Sequence, residues 1–208
     1  MGPVRNTRSA RKRRRTKRML IAFSAMLVVA SLFAGLYYWS LQNAVDSAFQ
    51  SFTGHYLDIM NNLNSSKTRT AMSSELVGKP NFTDLFQWMY SRMTFGQDPA
   101  GWLEDPVDIL NDGKGICEQF SIVYVSACLA LGYQSRLVVA VNSSTWVFIH
   151  VWTEDYFNGS WVHVDPSDKV WNNPLRYLQW DWGKYIGSDV RIYAFEVGNY
   201  SEVTATYK

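Results

Sequence analysis

The 208-residue sequence predicts an α+β domain preceded by one transmembrane helix. Residues 19–39 carry no charged side chain, which is typical of a membrane span. Residues 116–131 form an apolar run that ends at Gly132, which predicts a buried helix with a C-terminal glycine. Beyond that glycine, apolar residues alternate with a period of two, which indicates an antiparallel sheet that follows the helix.

The apolar segment 19–39 has the length and the flanks of a membrane span. As an α-helix it would be about 31 Å long, close to the thickness of the bilayer core. Nine of the 20 Lys and Arg residues lie in 1–18, which hold no acidic residue. The positive-inside rule keeps this basic cluster in the cytoplasm, and an outer aromatic belt would contain Tyr37, Tyr38 and Trp39. We therefore predict a single-pass membrane protein that contacts lipid through residues 1–39.

Other interpretations of these segments stay open. A cleaved signal peptide would need a small-residue cleavage site, for which Ala34-Gly35 is a weak match. A buried helix of the domain is a further alternative. The basic cluster would also suit DNA or RNA, but no nucleic-acid-binding fold accompanies it. We therefore expect contacts with lipid headgroups and no nucleic-acid partner.

The chain beyond residue 18 is acidic. It carries 11 Lys and Arg residues against 18 Asp and Glu residues, so the overall charge of +2 hides a charge of −7 in this part. Five N-x-S/T sequons also follow the apolar segment, at Asn64, Asn81, Asn142, Asn158 and Asn199. These features are compatible with a glycoprotein whose main domain lies outside the cytoplasm.

The sequence divides into four predicted parts. They are a basic cytoplasmic tail over 1–18, the transmembrane helix over 19–39, a helical stalk and linker over 40–79, and the α+β domain over 80–208. The polar segment 64–79 is interpreted as a loop or linker. Within the domain we expect a short helix over 82–94, a loop over 95–112, the buried helix, and strands over 135–141, 145–157, 160–165 and 189–197.

The two cysteines have different surroundings on the predicted buried helix. Cys117 and Cys128 would lie about 16 Å apart, too far for a disulfide. Two cysteines also exclude a zinc site of three or four thiolates, and no metal or cofactor is expected. Cys128 lies mid-helix, as an inert core thiol does. Cys117 lies in the first turn, where the helix N-terminus favours thiolate and its N–H groups could form half of an oxyanion hole.

Two predicted strands carry partners for a thiol. Alternation places His150 on one face with Trp152 and Glu154, and Asp165 on one face with Trp161 and His163. A hairpin turn at Asn158-Gly159 would bring the two strands side by side. Together with Cys117 they would form a thiol–imidazole–carboxylate triad, in which the imidazole takes the thiol proton and the carboxylate orients the imidazole.

Three sequence blocks surround the candidate triad, namely Gly113-x-Gly115-Ile-Cys117-Glu-Gln-Phe120, His150-Val-Trp152-Thr-Glu154 and Trp161-Val-His-Val-Asp165-Pro166. They resemble the transglutaminase-like superfamily of papain-fold thiol enzymes, and most of all its peptide N-glycanase type. Downstream segments continue the resemblance, at Asn173-Pro174-Leu175-x-Tyr177, Trp182-Gly183-Lys184, Ala194-Phe195 and Val203-Thr204-x-x-Tyr207. The resemblance implies a Cys-bearing helix packed on an antiparallel sheet that bears the His and the Asp.

The resemblance also implies a role for each motif residue. Cys117 matches the nucleophile, His150 the general base and acid, and Asp165 the orienting carboxylate. Asp168 stands where glycanases carry an acidic residue that meets the sugar, and Trp102 is a candidate partner of the oxyanion. The remaining motif residues are candidates either for substrate binding or for support of the hairpin, namely Trp152, Trp161, Glu154 and His163.

The expected function is an outward-facing thiol amidohydrolase that works through a thioester. Its substrate would be a protein, peptide or glycopeptide. The enzyme would either release the glycan from Asn, as a peptide N-glycanase does, or cleave the backbone, as a peptidase does. Acyl transfer to an amine, the transglutaminase reaction, is one alternative. A non-catalytic module that binds glycans or proteins is another. The chain lacks the paired CxxC motifs of eukaryotic glycanases, and its oligomeric state is left open.

Overall fold

The computed structural model describes residues 7–76, 82–96, 104–171 and 189–207. The chain forms two compact units, Met1–Ser47 and Ala48–Lys208. A single long helix, α1 (Thr7–Leu63), begins in the first unit and ends in the second.

The part of α1 in the first unit is a candidate membrane span. Its apolar side chains are exposed, including Leu27, Phe33 and Trp39. The helix is long and apolar enough to cross a membrane, and none of its most apolar stretch is buried in the protein. A signal sequence near an N-terminus meets the same criteria of length and apolar composition, so these two properties fit a membrane span and a signal sequence alike.

The second unit combines helices with a six-stranded antiparallel sheet. The further helices are α2 (Ser66–Glu75), α3 (Phe82–Arg92), α4 (Pro106–Asp112) and α5 (Cys117–Ala130). A short parallel pair consists of β1 (Thr94–Phe95) and β2 (Lys114–Gly115). The sheet consists of β3 (Ser135–Asn142), β4 (Val147–Phe157), β5 (Ser160–Asp165), β6 (Val170–Trp171), β7 (Val190–Glu196) and β8 (Asn199–Glu202), in the spatial order β6-β5-β4-β3-β7-β8.

Helix α5 lies at the centre of the core. All but one of its residues are buried, which explains why its sequence is apolar on every side. It packs with the end of α1 and with helices α2–α4 on one face of the sheet, around Val139, Val151 and Phe195. A smaller cluster covers the other face, around Val138, Trp152 and Tyr207.

Two helices occupy segments that were predicted as loops. The prediction for 64–79 is wrong over α2, where Thr68 and Met72 are buried one turn apart and Ser65 caps the first turn by accepting from the Thr68 N–H. Because the other faces of α2 are polar, no apolar stripe marks it in the sequence. The prediction for 95–112 is wrong over α4, which Asp105 caps and Pro106 begins.

The compact unit begins earlier in the chain than residue 80. The last turns of α1 bury Tyr56, Ile59 and Leu63 in the same core as α5. The segment predicted as a stalk therefore belongs to the core of the second unit from Ala48 onward.

Strand β4 contains a bulge that the period-two prediction lacks. Ala140 of β3 pairs with His150, but Val141 pairs with Phe148, so Ile149 is the additional residue. Phe148 consequently packs on the α5 side and Ile149 on the other side. The predicted alternation is therefore interrupted immediately before His150.

Candidate active site

The segment that leads into α5 is fixed on both sides. Gly113 caps the C-terminus of α4, and its φ of 69° favours glycine because other residues are strained there by their Cβ atom. The Gly113 carbonyl accepts from the Thr94 N–H at 2.9 Å, and the Gly115 carbonyl accepts from the Gly96 N–H at 3.0 Å. These bonds hold the chain in place two residues before Cys117.

Gly115 and Gln119 shape the start of α5. The Gln119 Oε1 atom accepts from the Ile116 N–H at 3.1 Å, which closes the first turn. A Cβ on Gly115 would lie 2.5 Å from the Gln119 Cβ, so only glycine allows this close approach. Cys117 follows as the first residue of the helix, and only 8% of it is exposed. The Sγ atom therefore lies where the helix dipole favours negative charge.

His150 and Asp165 meet across strands β4 and β5. The His150 Nε2 atom lies 2.7 Å from Asp165 Oδ2. Because a carboxylate accepts, this contact assigns the ring proton to Nε2 and leaves Nδ1 for the thiol. The other carboxylate oxygen, Oδ1, accepts from the Ser167 N–H and hydroxyl at 2.8 and 2.7 Å and from the Asp168 N–H at 3.2 Å. The fully buried carboxylate is thus held in one orientation.

The charge state of His150 depends on both neighbours. Burial lowers the pKa of the imidazole, but hydrogen bonds with Asp165 and Cys117, and the negative charges of both, outweigh burial and raise that pKa to about 9. A histidine with this pKa stays protonated at neutral pH. His150 thus interacts with both Asp165 and Cys117, the two residues with which the sequence groups it.

Trp152 supports the imidazole instead of facing solvent. Its ring stacks on His150 with centroids 5.8 Å apart and planes at 22°, and it is fully buried. The Trp152 Nε1–H donates to the Tyr207 hydroxyl at 3.1 Å, and that hydroxyl donates to Glu154. The position of Trp152 therefore favours the support role over direct contact with substrate.

Trp161 and Glu154 share a partner, Arg136, that sequence reasoning missed. The Arg136 guanidinium carbon lies 3.9 Å from the Trp161 ring centroid, and its Nε and Nη2 atoms lie 2.8 and 2.6 Å from Glu154 Oε2. Its Nη1 atom lies 2.7 Å from Glu196. The signal for this network in the sequence was Arg136, the one charged residue of the mostly apolar strand β3.

The other predicted site residues have separate outcomes. Asp168 is exposed and lies three residues after Asp165 on the adjoining turn. His163 is buried beside the rings of Trp152 and Tyr207. Trp102 lies outside the described residues, and so do the motif segments at 173–177 and 182–184.

A second group of polar residues adjoins Cys117 and was not predicted. Glu118 is 3% exposed, and its Oε1 atom accepts from the Tyr56 hydroxyl at 2.7 Å. The His55 ring lies 3.9 Å from Glu118 and 3.7 Å from Glu104. Since α1 and α5 are far apart in the sequence, only the fold could reveal this group.

These observations define the chain as a member of the transglutaminase-like superfamily. The model of that superfamily matches residues 63–166, which is half of the chain and includes α2 to α5 and the strands that carry His150 and Asp165. The resemblance predicted from the motifs is thus confirmed, and the compact unit has an α+β fold with a transglutaminase-like core.

Among curated proteins, the chain is similar to peptide-N(4)-(N-acetyl-beta-glucosaminyl)asparagine amidases. The protein of Oryza sativa subsp. japonica is 32% identical over 117 residues, which are 55% of this chain and 24% of that protein. The protein of Drosophila melanogaster is 34% identical over 105 residues, which are 50% of this chain and 15% of that protein. The chain therefore spans a quarter or less of the length of these relatives.

One solved structure shows the likeness of the fold. A chain of the Rad4/XPC nucleotide excision repair complex superposes with a TM-score of 0.60 at 10% sequence identity. The match covers 81% of this chain and 50% of that chain. At this identity the similarity concerns the arrangement of helices and strands alone.

Proposed function

We propose that the second unit is a thiol amidohydrolase in which Cys117 is the nucleophile, His150 the general base and acid, and Asp165 the orienting carboxylate. The observation that supports this most is the buried His150–Asp165 hydrogen bond of 2.7 Å beside a thiol at the first residue of a helix. Superfamily membership and the amidase relatives support the same reaction class.

The proposed reaction has two halves. The Cys117 thiolate attacks the carbonyl carbon of an amide, and the C=O electron pair moves to the oxygen, which the N–H groups at the start of α5 stabilise. Collapse of this intermediate breaks the C–N bond, and the His150 imidazolium gives its proton to the leaving amine. Water then attacks the thioester carbonyl, and His150 takes a proton from the attacking water. Release of the thiolate leaves a carboxylic acid and an amine as products.

The proposed substrate is a glycopeptide or peptide. Relatives that are amidases at glycosylated asparagine favour a glycopeptide. The candidate span in α1 supports placing the enzyme at a membrane, with the basic residues before it in the cytoplasm and the second unit outside. The acidic net charge of the chain after residue 18 is compatible with this placement.

A panel of matched peptides tests the reaction. The full-length chain in detergent would be incubated with an N-glycopeptide and with the same peptide without its glycan, and the products weighed by mass spectrometry. Conversion of glycosylated Asn to Asp supports a glycanase, and backbone cleavage supports a peptidase. Activity that is lost in Cys117→Ala but kept in Cys128→Ala supports the assignment of the nucleophile. An unchanged rate in Cys117→Ala contradicts it.

Acyl transfer to an amine is the second candidate, since the superfamily to which the chain belongs takes its name from that reaction. The thioester would be the same, and an amine would replace water as the attacking group. Repeating the panel with a primary amine separates the two, because acyl transfer yields an amide product whose mass includes the amine.

A further inference from the structure

An open cavity lies beside the first turn of α5. Its volume is about 550 Å³, and its wall combines the last turns of α1, the turn between β3 and β4, and the start of α5. Glu118, which directly follows Cys117, is part of this wall, and so is Phe148, two residues before His150. The cavity therefore adjoins the two chain segments that carry Cys117 and His150.

Most of the cavity wall is aromatic. Phe52, Tyr56, Trp146 and Phe148 line it. The Trp146 ring is fixed between Phe49 and Phe52, at centroid distances of 4.7 and 5.9 Å. Trp146 also has a φ of 55°, a strained conformation for a bulky residue that persists only where surrounding packing enforces it. The wall is thus a firm apolar surface.

The same cavity carries an excess of negative charge. Glu104 and Glu118 both line it, and His55 lies between them at 3.7 and 3.9 Å. Hydrogen bonding to Glu118 raises the pKa of His55 in spite of its partial burial, with further contributions from the charges of Glu104, Glu118 and Asp58. Two carboxylates against one imidazole leave the wall negative in either state of His55. No Lys or Arg occurs among the described residues that line it.

We propose that this cavity is a specificity subsite that takes a Lys or Arg side chain of the substrate. The inference rests on the proposed function, since it assumes that the amide is cleaved at Cys117. The aliphatic stem would lie along the aromatic wall, and the cationic group would lie against Glu104, the exposed one of the two carboxylates, within reach of the aromatic rings. The two carboxylates of the wall repel an anion.

Two matched alkylating reagents test the subsite without knowledge of the natural substrate. N-(5-aminopentyl)iodoacetamide carries a cationic tail, and N-pentyliodoacetamide carries the same tail without the charge. The rate of Cys117 alkylation in the full-length chain would be followed by mass spectrometry, with each rate divided by that of a small free thiol. We expect the cationic reagent to react about fivefold faster, as one partly buried ion pair allows.

Variants locate the source of this preference. Glu104→Gln and Glu118→Gln should each reduce the rate ratio towards one, whereas Glu202→Gln, which removes an exposed charge outside the cavity, should leave it unchanged. Glu118→Gln weakens the Tyr56–Glu118 hydrogen bond and could destabilise the protein. Glu104 is half-exposed, so Glu104→Gln should fold and keeps the test valid. Equal rates of the two reagents at Cys117, or a ratio equally reduced by Glu202→Gln, would overturn the subsite and leave the proposed function standing. Absence of alkylation at Cys117 by either reagent would overturn both.

Discussion

The His150 Nε2 atom lies 2.7 Å from Asp165 Oδ2, and this contact joins the two strands on which the proposed chemistry depends. Asp165 is fully buried and accepts from three further donors in the turn that follows it. The carboxylate can therefore fix both the tautomer and the orientation of the imidazole.

Replacement of Asp165 by Asn should remove most of the activity. The amide keeps the size of the carboxylate but loses its charge, so it neither stabilises the imidazolium nor enforces the same tautomer. We expect kcat to fall by about 10³- to 10⁴-fold, as in related triads. Steady-state kinetics on a cleaved peptide of the panel measures the effect, with thermal unfolding as the control for folding. A fall of less than about tenfold would argue against the assigned role.

The raised pKa of His150 predicts the pH dependence of stability and of activity. Because that pKa rises from 6.5 to about 9 on folding, the folded state binds the proton more tightly than the unfolded state. This stabilisation is complete below about pH 6.5 and is lost as the pH rises through 9. We expect kcat/KM to fall on the alkaline side near the same pH.

Urea unfolding between pH 6 and 10 checks the stability prediction, with Asp165→Asn as the comparison. The variant should lose the main source of the raised pKa, so its free energy of unfolding should depend less on pH in this window. If the free energy of unfolding depended on pH equally in the two proteins, His150 would not be the group that causes this dependence.

Arg136 should be a main contributor to stability. Its guanidinium contacts Glu154, Glu196 and the Trp161 ring. Arg136→Met leaves the buried Glu154 without its positive partner, which should cost about 3–5 kcal/mol of the free energy of unfolding. Arg191→Met removes an exposed pair with Glu202 at 3.5 Å and should cost less than about 1 kcal/mol. Similar losses in both variants, measured by urea unfolding, would contradict this ranking.

Gly115 should tolerate no side chain. Its added Cβ would lie 2.5 Å from the Gln119 Cβ, so Gly115→Ala must shift the start of α5 and with it Cys117. We expect a loss of about 1–3 kcal/mol in stability together with a lower kcat. Gly54→Ala is the matched control, because an added Cβ in that helix meets nothing within 4 Å. It should stabilise the protein by about 0.5–1 kcal/mol without a change in kcat.

Asp155 should oppose folding at neutral pH. Burial raises the pKa of this carboxyl from 3.8 to about 6, although the Tyr124 hydroxyl donates to it at 3.0 Å. The folded state therefore binds the proton more tightly, and the free energy of unfolding falls as the pH rises from about 4 to 6. Asp155→Asn keeps an acceptor for Tyr124 and should raise the thermal unfolding temperature above pH 6. No gain at pH 7 would contradict the prediction.

The sequence predicts those parts of the fold whose pattern is local. The apolar run of α5 and the alternation in β3 to β5 predicted the bounds of these elements to within a few residues. The motifs and their spacing identified the superfamily. Helix α2 was missed because only Thr68 and Met72 face the core. The bulge at Ile149 was missed because it depends on pairing with β3.

The candidate site divides in the same way. Cys117, His150 and Asp165 lie in recognisable motifs, so all three could be predicted from the sequence. Arg136 and the Tyr56–Glu118 pair could not be found, since their partners are far away in the chain and only the tertiary fold brings them into contact.

The most direct test of the central claim is capture of the covalent intermediate. The full-length chain would be mixed with each peptide of the panel and quenched in acid within the first turnover, and the protein would be mapped by mass spectrometry. The account predicts an acyl group on Cys117, none on Cys128, and no product from Cys117→Ala. Peptide or glycopeptide cleavage that persists at the wild-type rate in Cys117→Ala would contradict it.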